Sequence, residues 1–158
     1  LPISNLGEFS AREKGGWFFN WGSRLVILPQ NCCLIVGGAG IDINATKNDV
    51  FHFNFGNQTI TKKRPMLDKR EAPAVIYRQD HVYVIGGKFV FRTCERYRMD
   101  RDTWKHFGPM IEGRHNASAA LMHGDEYIYV IGGFPLDIVA QAFERYSFET
   151  EMWEKIHF

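Results

Sequence analysis

Long apolar runs, charge imbalance, helical periodicity and paired cysteines are all scarce in this sequence, and each scarcity removes a class of protein. No apolar stretch in the 158 residues approaches the ~20 that a bilayer-spanning helix needs. Formal charge is +1, from 19 Lys and Arg against 18 Asp and Glu. That balance offers no broad field to draw a nucleic-acid backbone or an anionic membrane, and neither is expected as a partner. The densest basic cluster, Lys62, Lys63 and Arg64 with Lys69 and Arg70, is short and reads as a solvated loop rather than a phosphate-binding footprint. Cys32, Cys33 and Cys94 suit reduced thiols better than a disulfide framework, and the neighbours Cys32 and Cys33 are expected on opposite faces of a strand. Sequons at Asn44, Asn57 and Asn116 would matter only in a secreted chain, and no signal peptide is visible. The expected setting is cytoplasmic.

Reactive constellations are equally thin. His52, His81, His106, His115, His123 and His157 are scattered, and none has the two-to-five-residue spacing to a Cys or second His that marks a zinc site. Gly37-Gly38-Ala39-Gly40 follows a strand-like run but leads to no Lys-Ser/Thr and no helix, so it is not read as a phosphate loop. No G-x-S-x-G elbow occurs. Catalytic residues, a metal site and a cofactor are therefore all expected to be absent.

Aromatics and glycine are abundant instead: 13 Phe, 6 Tyr, 4 Trp and 15 Gly. Without helical patterning this favours short strands and tight turns. An apolar run ending in a doubled glycine occurs three times, at Gly37-Gly38, Gly86-Gly87 and Gly132-Gly133. Downstream offsets repeat as well. Glu95-Arg96-Tyr97 is followed seven residues after the tyrosine by Trp104, and Glu144-Arg145-Tyr146 is followed likewise by Trp153. The first unit keeps the frame with Phe53 and Ile60 in place of tyrosine and tryptophan. Pro65-Met66 with Arg70, and Pro109-Met110 with Arg114, close the first and second units at matching positions. A period near 50 residues is the range of propeller blades.

Each unit reads as four short strands, a to d. In the second these are 72–77, 82–85, 94–99 and 104–107, with turns at 78–81 and 100–103. The third begins with 118–122 and 127–131 around His123-Gly124-Asp125-Glu126, and the first with 24–28 and 33–36 around Pro29-Gln30-Asn31. Asp, Asn and Gly supply the positive-φ or side-chain-bonded turn positions.

The doubled glycine, tyrosine and later tryptophan, in units of this length from Arg24 to Phe158, resemble Kelch repeats. The resemblance implies an all-β fold: a Kelch-type β-propeller of which about three four-stranded blades are seen, an open arc of a larger ring. The expected divisions are 1–23 as the degenerate end of a preceding blade or an extension, then repeats at 24–70, 71–114 and 115–158. In this family's fold the glycine pair ends strand b near the crowded centre, where a side chain would clash. Tyr97 with Trp104 and Tyr146 with Trp153 read as pairs packing between blades. Glu95 and Glu144 share a strand face with those tyrosines and need partners, for which Arg70 and Arg114 are the candidates.

Function usually sits in the variable loops. The b–c loops are 39–49, 88–93 and 134–142, and the last two are unusually apolar. Phe89, Phe91 and Arg92, with Phe134, Leu136 and Asp137, are the candidate partner-binding residues, alongside Val90, Pro135, Ile138 and Val139. Packing against a neighbouring blade or the N-terminal segment is the competing reading of the same residues. The resemblance implies a non-catalytic scaffold that holds a protein partner, such as a ubiquitin-ligase substrate adaptor or a cytoskeletal or ciliary component. Its alternative is a Kelch-like enzyme acting on a sugar or small metabolite. Three blades also fall short of the five to seven that usually close such a ring, so the chain is expected to be part of a longer protein or a larger assembly.

Overall fold

The computed structural model describes residues 21–40, 46–135 and 143–157. Twelve strands in these residues form three antiparallel sheets of four, each a simple meander. The first holds β1 (Arg24–Leu28), β2 (Cys32–Val36), β3 (Val50–Asn54) and β4 (Thr59–Lys62). The second holds β5 (Ala74–Arg78), β6 (His81–Ile85), β7 (Cys94–Arg98) and β8 (Thr103–Phe107). The third holds β9 (Ser118–Met122), β10 (Tyr127–Ile131), β11 (Phe143–Ser147) and β12 (Met152–Ile156). The register matches across sheets: Phe53 faces Ile60, Tyr97 faces Trp104 and Tyr146 faces Trp153.

Several strand limits differ from the sequence reading, those of β2, β7 and β8 and the end of β5 by one residue; the starts of β5 and β6 have a visible cause. β5 starts at Ala74 rather than residue 72, because Ala72 is held at φ 52° and Pro73 has no N–H to donate. β6 begins at His81, because Gln79 and Asp80 both take positive φ, 45° and 62°. That two-residue turn matches strand twist and pairs Arg78 directly with His81.

Adjacent sheets face each other through apolar clusters. Val26, Leu28, Leu34, Val36, Val50 and Met66 of the first meet Val82, Val84, Tyr97 and Trp104 of the second. Ala74, Tyr83, Ile85, Cys94 and Met110 then meet Ile128, Val130, Tyr146 and Trp153 of the third. The tyrosine–tryptophan pairs thus occupy the leading face of each blade and pack on the blade before it. Cys32 joins the first cluster while Cys33 does not, as strand alternation requires, and all three cysteines are free and buried.

The first strands of successive blades are neighbours, and the residues leading into them form a backbone chain around the inner edge. Ala72 donates its N–H to Gly22 at 2.7 Å, and Asn116 donates to the Ala72 carbonyl at 2.8 Å. All three sit in the left-handed region, with φ of 70°, 52° and 55°.

Candidate interaction face

The repeated residues build a rigid frame. Each linker from strand d to the next blade is clamped by a glutamate of that next blade. Glu95 accepts the N–H groups of Leu67 (2.7 Å) and Asp68 (3.0 Å) and holds Arg70 through Nε (2.9 Å) and Nη2 (2.8 Å). Arg70 in turn donates Nη1 to the carbonyls of Gly86 and Thr93, both at 2.7 Å. Glu144 repeats the pattern on Ile111 (2.7 Å), Glu112 (3.0 Å) and Arg114 (2.6 Å). Both ion pairs are buried, so the pairing expected of these residues is present. Arg70 accordingly does not belong to the solvated basic loop in which the sequence grouped it. Each tryptophan pins the same linker from outside: Trp104 Nε1 donates to the Arg64 carbonyl at 2.8 Å and Trp153 Nε1 to that of Gly108 at 2.6 Å.

The glycine pairs let the linkers pass. A Cβ on Gly37 or Gly86 would collide with the carbonyl oxygen of Arg70 or Arg114. Those carbonyls accept N–H bonds from the second glycines, Gly38 at 2.8 Å and Gly87 at 3.0 Å. Both glycines of every pair have positive φ.

This frame brings the described parts of the b–c loops and the linkers onto one face. Met110 and Arg114 donate their N–H groups to the carbonyls of Arg92 (2.9 Å) and Phe91 (2.8 Å), tying the second loop to the linker behind it. Phe89, Phe91 and Phe134 are 58%, 40% and 53% exposed. His115 stands between the last two, its ring 5.7 Å from Phe91 and 5.3 Å from Phe134, so an aromatic row crosses from the second blade to the third. Phe91 also lies against Gly113, where a Cβ would meet the phenylalanine Cβ at 2.8 Å. Arg92 is exposed, and its Nε is fixed by the Met110 carbonyl at 2.8 Å. Leu136, Asp137, Ile138 and Val139 lie outside the described residues.

One set of pairings escaped the sequence reading, although that reading had singled out Phe134 itself. The residue after each second glycine bridges the residue that precedes the left-handed position before strand a. These pairs are Ala39 with Trp21, Lys88 with Glu71, and Phe134 with His115. Each blade therefore offers a two-residue step at the inner rim: apolar on the first, ion-paired on the second (Lys88 Nζ to Glu71, 3.5 Å), aromatic on the third. Their signal was positional, since Glu71 and His115 each follow a repeat-closing arginine. Burial pushes the His115 pKa below its ordinary value; Lys88 and Arg24 push the same way and Glu71 opposes them. The lowered pKa favours the neutral ring, which suits its place between two phenyl groups.

Three radially repeated, four-stranded antiparallel blades with clamped linkers define an arc of a β-propeller. No family model matches the chain. It is 32% identical over 117 residues, 72% of its length, to Kelch repeat and BTB domain-containing protein 2 of ectromelia virus. It is 28% identical over 134 residues, 78% of its length, to Kelch-like protein 26 of Danio rerio. A RING finger domain and kelch repeat-containing protein of Dictyostelium discoideum shares 36% identity over 75 residues, 48% of the chain. The aligned parts span 20%, 22% and 7% of those relatives. The chain belongs to the Kelch-repeat proteins, and its fold is that of a Kelch β-propeller.

Proposed function

We propose that this chain is a non-catalytic protein-binding scaffold whose docking surface is the face carrying the b–c loops and linkers. The observation that carries the reading is the exposed aromatic row of Phe91, His115 and Phe134, flanked by Phe89 and by a guanidinium fixed at Arg92. Large aromatics and arginine on a rigid support are the residue types that anchor protein interfaces. The frame favours such a role because clamp, glycine pairs and indole bonds hold the loop bases, leaving the tips free to differ from blade to blade. In the relatives, Kelch repeats share a chain with a BTB domain or a RING finger, which supports an adaptor role for this arc. Cytoplasmic residence belongs to the same proposal, since three free, buried thiols suit a reducing compartment.

Affinity capture from cell extract, comparing the wild type with Phe91→Asp and Phe134→Asp, tests the assignment. Both variants are expected to fold and to lose the partner. Full partner recovery by folded variants refutes the placement of the site.

A further inference from the structure

The inner rim carries a guanidinium that the repeat does not require. Arg24 opens β1 and reaches along the rim, where its Nη2 donates to Asn116 Oδ1 at 2.6 Å and its Nη1 to the Ser23 carbonyl at 3.3 Å. The first of these bonds joins the first blade to the third, skipping the second. Neither partner recurs in the other blades. The positions that match Arg24 hold Ala74 and Ser118, and those that match Asn116 hold Gly22 and Ala72. The second and third blades thus enter their first strands without an arginine at this place, so the frame does not explain it.

The charges around Arg24 leave it uncompensated. Arg70 and Arg114 are clamped by buried glutamates, and Arg98 and Arg145 lie on Asp100 and Glu154. Arg24 is half-buried and rests on neutral oxygens; among the described residues no carboxylate comes within ion-pair reach of it. The rim's own acid, Glu71, stands 3.5 Å from Lys88 Nζ, and its side chain is only 12% exposed. Those two rim charges satisfy each other, and the guanidinium is left over. Arg24 Nε and Asn116 Nδ2 donate to none of the described residues. An amide that receives a guanidinium on its oxygen carries its own N–H pair on the adjacent atom, so two sets of unused donors stand side by side. A carboxylate matches that arrangement, because a guanidinium meets its paired oxygens with parallel N–H bonds. The site borders the aromatic row: Arg24 acts on His115 together with Lys88, and Glu71 acts against them.

We propose that Arg24 and Asn116 form a carboxylate seat at the inner rim. The carboxylate lies across the unused N–H groups of the guanidinium and accepts a further bond from Asn116 Nδ2. Lys88 adds to the attraction, and Glu71 opposes it only in part because it is already paired. A carboxylate bound there cancels the charge of Arg24, and with it one of the influences that hold His115 neutral. The chemistry is the same for a free small acid and for an aspartate or glutamate side chain of a polypeptide. The seat stands apart from the docking role of the aromatic row, and either can fail without the other.

The test titrates the protein with sodium acetate, and with sodium chloride at matched ionic strength, reading NMR signals of Arg24 Nε–H, the Asn116 side-chain amide and the His115 ring. Acetate is expected to move all three along one saturation curve, half-complete on the order of 10 mM. It is also expected to raise the His115 titration midpoint by several tenths of a pH unit, while chloride leaves the signals in place. Arg24→Gln should abolish the saturation and raise the His115 midpoint without acetate. Asn116→Asp, which lays a carboxylate on the guanidinium from within, should do the same with the Arg24 side chain kept. If the Arg24–Asn116 bond is only a strap between blades, the wild type shows no acetate saturation, and that result overturns the proposal. An identical response to chloride overturns it too, as does an undiminished acetate response in folded Arg24→Gln protein. Repeating the titration with a capped Ala-Glu-Ala peptide separates the sources: a gain over acetate of about tenfold or more assigns the seat to a polypeptide side chain, and a smaller gain assigns it to free small acids. If neither variant folds, the comparison of acetate with chloride on the unsubstituted protein decides alone.

Discussion

Replacing Glu95 by leucine separates a clamp from a mere ion pair. The side chain is buried and accepts four hydrogen bonds, from the N–H groups of Leu67 and Asp68 and from Nε and Nη2 of Arg70. Removing it leaves a buried guanidinium without its main partner, a change that destabilises by about 3–5 kcal/mol. With denaturant dependence of about 2 kcal/mol per molar urea, the unfolding midpoint should fall by about 1.5–2.5 M. The informative variant is the double replacement Glu95→Leu with Arg70→Met. For an isolated buried pair, two apolar residues of similar volume restore stability fully. Here they do not, because the N–H groups of Leu67 and Asp68 and the carbonyl of Gly86 lose their partners too, while the Thr93 carbonyl keeps only the Gly86 N–H. At about 1 kcal/mol for each of these three orphaned groups, the double variant should stay about 3 kcal/mol below wild type. Urea titration followed by tryptophan fluorescence reads this directly, since Trp104 sits in the adjoining cluster. A double variant as stable as wild type would refute the idea that the pair exists to hold backbone.

The remaining expectations are simpler to read. Trp104→Phe keeps most of the packing but loses the bond to the Arg64 carbonyl, so it should lower stability by about 1 kcal/mol, against about 3–5 kcal/mol for Trp104→Ala; chemical denaturation of the two variants checks the split. Gly86→Ala should prevent folding or reduce it severely because the Arg114 carbonyl blocks the new Cβ, while Gly124→Ala, in open space at φ 62°, should lose only about 1–2 kcal/mol, as thermal melts will show. Burial raises the Cys33 thiol and pushes Cys94 up to about 12, so a thiol reagent at pH 8 should leave both unmodified until the protein is unfolded. The folded pKa values of His52 and His115 are depressed, each chiefly by burial. Their contribution is complete above the ordinary histidine pKa near 6.5 and is lost as pH falls through the window below it, because the unfolded chain binds the extra protons. His115→Gln should flatten the decline in thermal midpoint between pH 7 and 5.

The parts legible in the sequence are those whose physics repeats. Gly37, Gly86 and Gly132 recur because a linker carbonyl allows no Cβ at the first two and the backbone is left-handed at all three. Glu95 and Glu144 recur with Arg70 and Arg114 because a buried carboxylate and a buried guanidinium each require the other. What stayed hidden was set by conformations the residues themselves do not announce. Ala72 in the left-handed region is one case, and the turn of Gln79 and Asp80 is another, since neither contains glycine. The rim pairs were hidden for a related reason: Trp21 with Ala39, Glu71 with Lys88 and His115 with Phe134 share a place but no chemistry.

That difference in legibility follows from how the fold divides its work. At the rim, each pair is positioned by main-chain bonds: Ala39 N–H to the Trp21 carbonyl at 2.7 Å, Lys88 N–H to that of Glu71 at 2.8 Å, and Phe134 N–H to that of His115 at 2.9 Å. Bonds made by backbone place no demand on the side chains that ride on them, so an indole, a carboxylate and an imidazole occupy one position in turn. The clamp glutamates hold the linkers immediately beneath, so a substitution at the rim leaves the frame's buried hydrogen bonds untouched. Exchanging Glu71-Lys88 for the His-Phe pair of the third blade should therefore leave the unfolding free energy within about 0.5 kcal/mol of wild type while altering what the face binds. A loss of several kcal/mol in that swap would mean that the rim side chains are part of the frame after all.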